Sequence, residues 1–153
     1  ISWLTWSPKA LHLAASSWDN QVRVWDVQMQ SLTTLRVNPA AAASGEAPLL
    51  TCCWSGDGRT VFFGGCDGKV RAWPVGQQAS VIGQHQAPVK SMFFIDDIQS
   101  LVTGSWDKTL RYWDGRTPNA QATVPLPERV YCLDVTYPLA VLSTADRSIV
   151  IYD

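Results

Sequence analysis

Histidine is nearly absent from this chain, with two in 153 residues, and the four cysteines, Cys52, Cys53, Cys66 and Cys132, form no CxxC pair. A tetrahedral zinc site needs nitrogen and sulfur ligands clustered at short spacings, so no metal is expected. Cys52 and Cys53 are neighbours in an apolar run and read as buried thiols, a usage that fits the reducing cytosol or nucleus. No apolar stretch approaches the roughly 18 residues of a membrane-spanning helix, and no signal-peptide pattern is visible, so membrane insertion is not expected. Neither sign of charge dominates: 12 Lys and Arg against 13 Asp and Glu leave a net charge of -1. That balance excludes a global pull toward nucleic acid or anionic lipid and leaves only local patches. Apolar residues at the 3.6-residue helical period are lacking as well.

What the chain does have is tryptophan, eight in all, at regular places. Four segments align without gaps: SSWDNQVRVWD (Ser16–Asp26), GGCDGKVRAWP (Gly64–Pro74), GSWDKTLRYWD (Gly104–Asp114) and STADRSIVIYD (Ser143–Asp153). Each puts an Asp six residues before an aromatic: Asp19/Trp25, Asp67/Trp73, Asp107/Trp113 and Asp146/Tyr152. The aromatics recur at intervals of 48, 40 and 39 residues. A period of about 40–45 residues with this ending marks β-propeller blades. Short apolar runs such as Leu49–Trp54 and Val89–Ile95, separated by Gly/Asp turns, read as strands.

The expected fold is therefore all-β: a WD-repeat propeller of three to four blades of four antiparallel strands, about half of a seven-bladed ring. The blades fall near residues 1–36, 47–83, 84–125 and 126–153. The eight extra residues of the first interval lie in 37–46, where Pro39 and Gly45 bracket four alanines too closely for a stable helix. A mobile surface loop is expected there. The sequence starts at Ile1 inside what reads as a repeat, so a partial chain is expected. Half a ring exposes apolar blade faces, which the remainder of the propeller or a second chain must cover.

His85, Ser105 and Asp107 invite comparison with a hydrolase triad, but the repeat accounts for them better. In WD repeats such a set forms a hydrogen-bond chain within the blade, which lets its polar groups be buried. The expected order is the Trp113 indole to Ser105, Ser105 to one ring nitrogen of His85, and the other nitrogen to Asp107. Other blades keep parts of it: Ser17, Asp19 and Trp25 in the first, Asp67 and Trp73 with Gly65 and Gly45 in the second, Thr144, Asp146 and Tyr152 in the fourth. A graded series at blade period speaks for structure, not catalysis. No enzyme activity and no cofactor are expected.

The residue between Ser and Asp of each turn is free to vary and is Trp18, Cys66, Trp106 or Ala145. A tight turn needs no indole. Trp18 and Trp106 either pack on neighbouring loops or stand out as binding anchors, a role in which Trp is enriched. Lys69, Lys108 and Lys90 lie nearby and would meet an acidic or phosphate-bearing partner, and Arg129 of Pro127-Glu128-Arg129 reaches the same rim. Arg23, Arg71 and Arg111 read as strand residues whose stems cover apolar surface.

QHQAPVKSM (Gln84–Met92), GSWDKTLRYWDGRTP (Gly104–Pro118) and LPERVYCLDVTYPLAVLSTADRSIVIYD (Leu126–Asp153) resemble the Rae/Gle2 family of WD-repeat mRNA export factors. The resemblance extends back through CCWSGDGRTVFFGGCDGKVRAWPV and SSWDNQVRVWDV, so it covers nearly the whole chain. It implies a seven-bladed propeller at the nuclear pore, in the nucleus and also the cytoplasm. Such a propeller takes the GLEBS segment of an FG-repeat nucleoporin across its top face and contacts RNA or ribonucleoprotein. The GLEBS contact carries over to Trp18 and Trp106. The sister family, the Bub-type spindle-checkpoint propeller, shares SWD and the PE-(R/K)-VY stretch and would bind GLEBS-like segments of kinetochore kinases; the YPLAV run favours the export factor. The alanine-rich segment departs from the family pattern.

Overall fold

Successive antiparallel hairpins build the whole structure, because each apolar run is closed by a Gly- or Asp-containing turn before it can extend. A computed structural model describes residues 1–29, 35–115, 117 and 119–153; residues 30–34 of the first blade, and Arg116 and Pro118 of the GRTP turn, lie outside the described residues. The first sheet comprises β1 (Trp3–Trp6), β2 (His12–Ser16), β3 (Gln21–Met29) and β4 (Leu35–Ser44). The second comprises β5 (Leu49–Trp54), β6 (Thr60–Gly65), β7 (Lys69–Pro74) and β8 (Ser80–Gln84). The third comprises β9 (Val89–Ile95), β10 (Ser100–Ser105), β11 (Thr109–Trp113) and β12 (Ala122–Pro125). The last holds β13 (Val130–Thr136), β14 (Leu139–Thr144) and β15 (Ile149–Tyr152). Within each sheet the strands pair in sequence order. The first strands are neighbours, β1 beside β5, β5 beside β9 and β9 beside β13. The result is an all-β partial propeller whose blades stand side by side along their inner strands.

Between blades the core repeats. Val22 and Val24 of the first blade, both nearly inaccessible, meet Leu49, Trp54, Phe63 and Trp73 of the second. Val102 and Leu110 of the third meet Val130, Leu133 and Leu142 of the fourth. Cys52 and Cys53 are free, buried thiols in these layers; burial pushes the Cys52 thiol up to about 12.

The alanine-rich segment corrects the sequence reading. Residues 37–44 are not a loop but most of β4, paired with β3 from Met29↔Leu35 to Gln21↔Ser44. The first blade accordingly runs on to Ser44 rather than ending near residue 36. Ala41 and Ala43 pack on the core while Ala40 and Ala42 face solvent. The register shifts where Val24 opposes Ala41 and Trp25 opposes Pro39, and β4 is the outer strand. An edge strand with a bulge is where proline is tolerated.

The hairpins that carry the repeated Asp share one backbone feature. The residue after each Asp has positive φ: Asn20 at 68°, Gly68 at 73°, Lys108 at 62° and Arg147 at 68°. This left-handed residue tightens the turn and returns the chain along the preceding strand. It also brings the four turns to one rim.

Candidate rim site and the buried tetrad beneath it

Beneath that rim the third blade holds a continuous hydrogen-bond chain, but through Thr103 rather than Ser105. The Trp113 indole N–H donates to Thr103 Oγ1 at 2.8 Å, and Thr103 Oγ1 lies 2.8 Å from His85 Nε2. His85 Nδ1 lies 2.8 Å from Asp107 Oδ2. For a neutral imidazole one proton arrangement satisfies all three. Asp107 needs a donor, so Nδ1 is protonated; Nε2 then accepts the Thr103 hydroxyl proton, whose oxygen accepts the indole N–H. Burial pulls the His85 pKa down, partly offset by Asp107, so the ring is neutral at neutral pH. Asp107 is pushed up by burial, but the Thr109 hydroxyl, the Gln86 N–H and His85 more than compensate, and its carboxyl lies below the ordinary value.

Ser105 serves the backbone instead. Its hydroxyl donates to the carbonyl of Pro88 at 2.9 Å, and it accepts the Asp107 N–H at 3.0 Å. It is 0% exposed. The triad reading therefore fails on geometry: Ser105 does not touch His85, and no substrate reaches it.

The other blades cannot close this chain, and the hairpin register says why. Thr103 opposes Arg111; the equivalents are Ala15 opposite Arg23, Phe63 opposite Arg71 and Leu142 opposite Val150. None carries a hydroxyl. The Trp73 N–H turns to the Gln77 carbonyl at 3.0 Å, while Trp25 and Tyr152 are half-buried. Ser17 accepts the Asp19 N–H, and Thr144 donates to Asp146 at 2.6 Å.

A second feature escaped sequence reading. The recurrent arginines do not merely cover apolar surface; each grips the Asp of its own turn across the hairpin. Arg23 meets Asp19 at 2.6 Å, Arg71 meets Asp67 at 2.5 Å and Arg111 meets Asp107 at 3.5 Å. The Arg23 hydrogen bond pulls the Asp19 carboxyl down to about 2. The spacing of four residues was visible all along, but its meaning depends on the turn folding the chain back.

On the rim itself Trp18 is 64% exposed and Trp106 36% exposed, with the half-buried Cys66 on the turn between theirs. The lysines are less available than their exposure suggests: Lys69 is paired with Glu46, and Lys108 with Glu128. Arg129 lies 3.8 Å from Glu128. Lys90, half-buried, has no ion-pair partner among the described residues. No group of three or more His, Cys, Asp or Glu among the described residues could hold a metal ion.

The model of the WD domain, G-beta repeat, matches residues 1–26, 34–74 and 76–114. Protein Rae1 of Drosophila melanogaster is 41% identical over 158 aligned residues, covering 99% of this chain and 44% of that protein. The poly(A)+ RNA export protein of Schizosaccharomyces pombe is 40% identical over 97% of this chain and 42% of its own length. The chain thus spans less than half of the curated relatives it matches. The WD40 β-propeller domain of Doa1 superposes with a TM-score of 0.75 over 98% of this chain and 50% of that domain, at 21% identity. The resemblance read from the PERVYC and YPLAV stretches is borne out by these relatives, and with its repeats matched in sequence and in architecture the chain belongs to the WD-repeat, G-beta repeat family.

Proposed function

We propose that this chain acts in mRNA export as a non-catalytic docking scaffold, nuclear and cytoplasmic and stationed at the nuclear pore. Its rim takes the GLEBS segment of an FG-repeat nucleoporin, with RNA or ribonucleoprotein alongside. The observation that carries this reading is the pair of exposed indoles, Trp18 and Trp106, at equivalent turns. The Trp106 turn is locked from below by the buried His85–Asp107 pair. A rigid aromatic presented on a fixed turn loses little entropy on binding, which is what a hot spot requires. The names of the relatives favour export over the checkpoint adaptor.

The test is a pull-down and titration with two peptides, a nucleoporin GLEBS segment and a GLEBS-like segment of a kinetochore kinase. We expect tighter binding of the nucleoporin peptide. Trp18→Ala or Trp106→Ala should each weaken it by on the order of 2 kcal/mol, roughly thirtyfold in Kd. Equal binding by wild type and both variants removes the rim-anchor reading; preference for the kinase segment moves the chain to the checkpoint.

A further inference from the structure

Two segments meet under the Trp106 indole: the turn that carries it, and the loop of residues 85–88 between β8 and β9. The Trp106 N–H donates to the Pro88 carbonyl at 3.0 Å, and the Ser105 hydroxyl shares that carbonyl at 2.9 Å. The Gln86 N–H and the His85 ring hold Asp107 at 3.0 Å and 2.8 Å. The turn is therefore placed by the loop beside it, and whatever fixes the loop fixes the indole.

Arg111 fixes the loop at its start. Its Nη1 donates to the Gln84 carbonyl at 2.8 Å, its Nη2 lies 3.5 Å from Asp107 Oδ2, and its Nε donates to the Thr109 hydroxyl at 3.3 Å. Gln84 ends β8 of the second sheet, whereas Arg111 belongs to β11 of the third. The guanidinium thus spans the junction of two blades. Competition explains the reach. Asp107 already accepts from His85, the Gln86 N–H, and the N–H and hydroxyl of Thr109. Its oxygens are filled, and the arginine is displaced toward the Gln84 carbonyl. In the second blade Gly45 stands at the histidine's place, and Arg71 spends both terminal nitrogens on Asp67, at 3.3 Å and 2.5 Å. Each of these two blades has a neighbour on either side, so the contrast comes from the residues and not from an open end of the ring.

We propose that Arg111 is a positioning residue of the rim site, stapling the end of the second blade to the turn of the third and so setting where Trp106 stands for the partner segment. This rests on the rim reading given above. A segment that engages anchors on different blades needs them at a fixed spacing, and a junction that slips must be ordered again at each binding event. Arginine suits the task. Its planar fork presents donors in fixed directions to three acceptors, where a lysine ammonium on a flexible stem would have to choose among them. The side chain is 20% exposed and its donors are taken, so it acts through Trp106 rather than by touching the partner.

Calorimetric titration of the nucleoporin GLEBS peptide tests this as a double-mutant cycle. Arg111→Met alone should weaken binding roughly three- to tenfold, the scale of re-ordering one anchor and its turn. In the Trp106→Ala background the same substitution should change Kd by less than about twofold. Arg111→Lys, which keeps the charge, should recover only part of the loss, and it keeps the test open if Arg111→Met does not fold. A second readout needs no partner. In protein labelled with fluorotryptophan, the fluorine resonance of Trp106, assigned by its loss in Trp106→Phe, should shift in both Arg111 variants, while that of Trp18 should not. Additive losses in the cycle, full recovery by lysine, or an unmoved Trp106 resonance each overturn the proposal. If Trp106→Ala binds as wild type, the rim reading falls by itself, and the fluorine signal still decides whether Arg111 holds the indole.

Discussion

Replacing Thr103 by valine keeps the volume of the side chain and removes one oxygen, and that oxygen is the centre of the buried tetrad. It accepts from the Trp113 indole and donates to His85 Nε2, each at 2.8 Å. Trp113 is 2% exposed and the His85 side chain 0%, so water does not replace it. Each orphaned buried group costs roughly 1–3 kcal/mol, so the variant should lose about 2–5 kcal/mol. At roughly 2–4 °C per kcal/mol for a chain of this size, the melting temperature should drop by about 5–15 °C. Ser105→Ala is the internal control: it orphans one buried group, the Asp107 N–H, while the Pro88 carbonyl keeps the Trp106 N–H, and should cost about 1–3 kcal/mol, less than Thr103→Val. Urea unfolding of both variants, with the Thr103→Val/Trp113→Phe double variant, measures this directly. The double variant should be less destabilised than the sum of the singles, because each removes the same bond. If Ser105→Ala proved the more damaging, or if Thr103→Val stayed within about 0.5 kcal/mol of wild type, the tetrad described here would be wrong.

Stability should fall with acid in two stages. The folded His85 pKa lies below its ordinary 6.5 because of burial, so below about pH 6.5 the unfolded chain takes up a proton that the native state refuses. Asp107 lies below its ordinary 3.8, so a second loss follows as pH drops through the carboxylate range. Urea midpoints from pH 8 to 5 should decline in wild type and flatten in His85→Gln; a rise toward pH 5 would contradict the neutral imidazole. Asp107→Ala strands His85, Gln86 and Thr109 and should cost on the order of 1–3 kcal/mol by thermal melting. Gly65→Ala puts a methyl 2.1 Å from the Pro48 carbonyl oxygen; two backbones cannot both yield, and a loss of at least about 2 kcal/mol is expected in the same assay.

The period of the Asp and aromatic pairs was enough to place the hairpins, since a β-hairpin is a local object and its turn chemistry is written in adjacent residues. In the third blade the repeat period alone does not separate Ser105 from Thr103 as the hydroxyl of the tetrad; the hairpin register does. Leu101 faces Trp113 across the hairpin. Thr103 is two residues from that point and Ser105 four, about 7 Å against about 13 Å along a strand, and an indole reaches the nearer. β4 was illegible for a different reason. Strand recognition rests on alternation, and Ala40–Ala43 shows the same side chain on both faces, so burial of Ala41 and Ala43 leaves no trace in the sequence. Alanine and proline are also poor strand formers, and the edge of a sheet with an unfilled fourth position overrode that preference.

The ion pairs of the rim decide how it would recognise a partner. Lys69 and Lys108, taken alone, suggest an anion site, yet each already holds a carboxylate of an inter-blade loop, Glu46 and Glu128. An incoming phosphate or carboxylate must displace that partner, and exchanging one exposed ion pair for another yields little, since such pairs are worth about 0–1 kcal/mol. The indoles of Trp18 and Trp106 face no such competitor: their exposed area is removed from water by any apolar partner at about 25 cal/mol per Å². Truncating either tryptophan should therefore weaken rim binding more than removing either lysine. Salt should alter the association rate more than the lifetime of the complex.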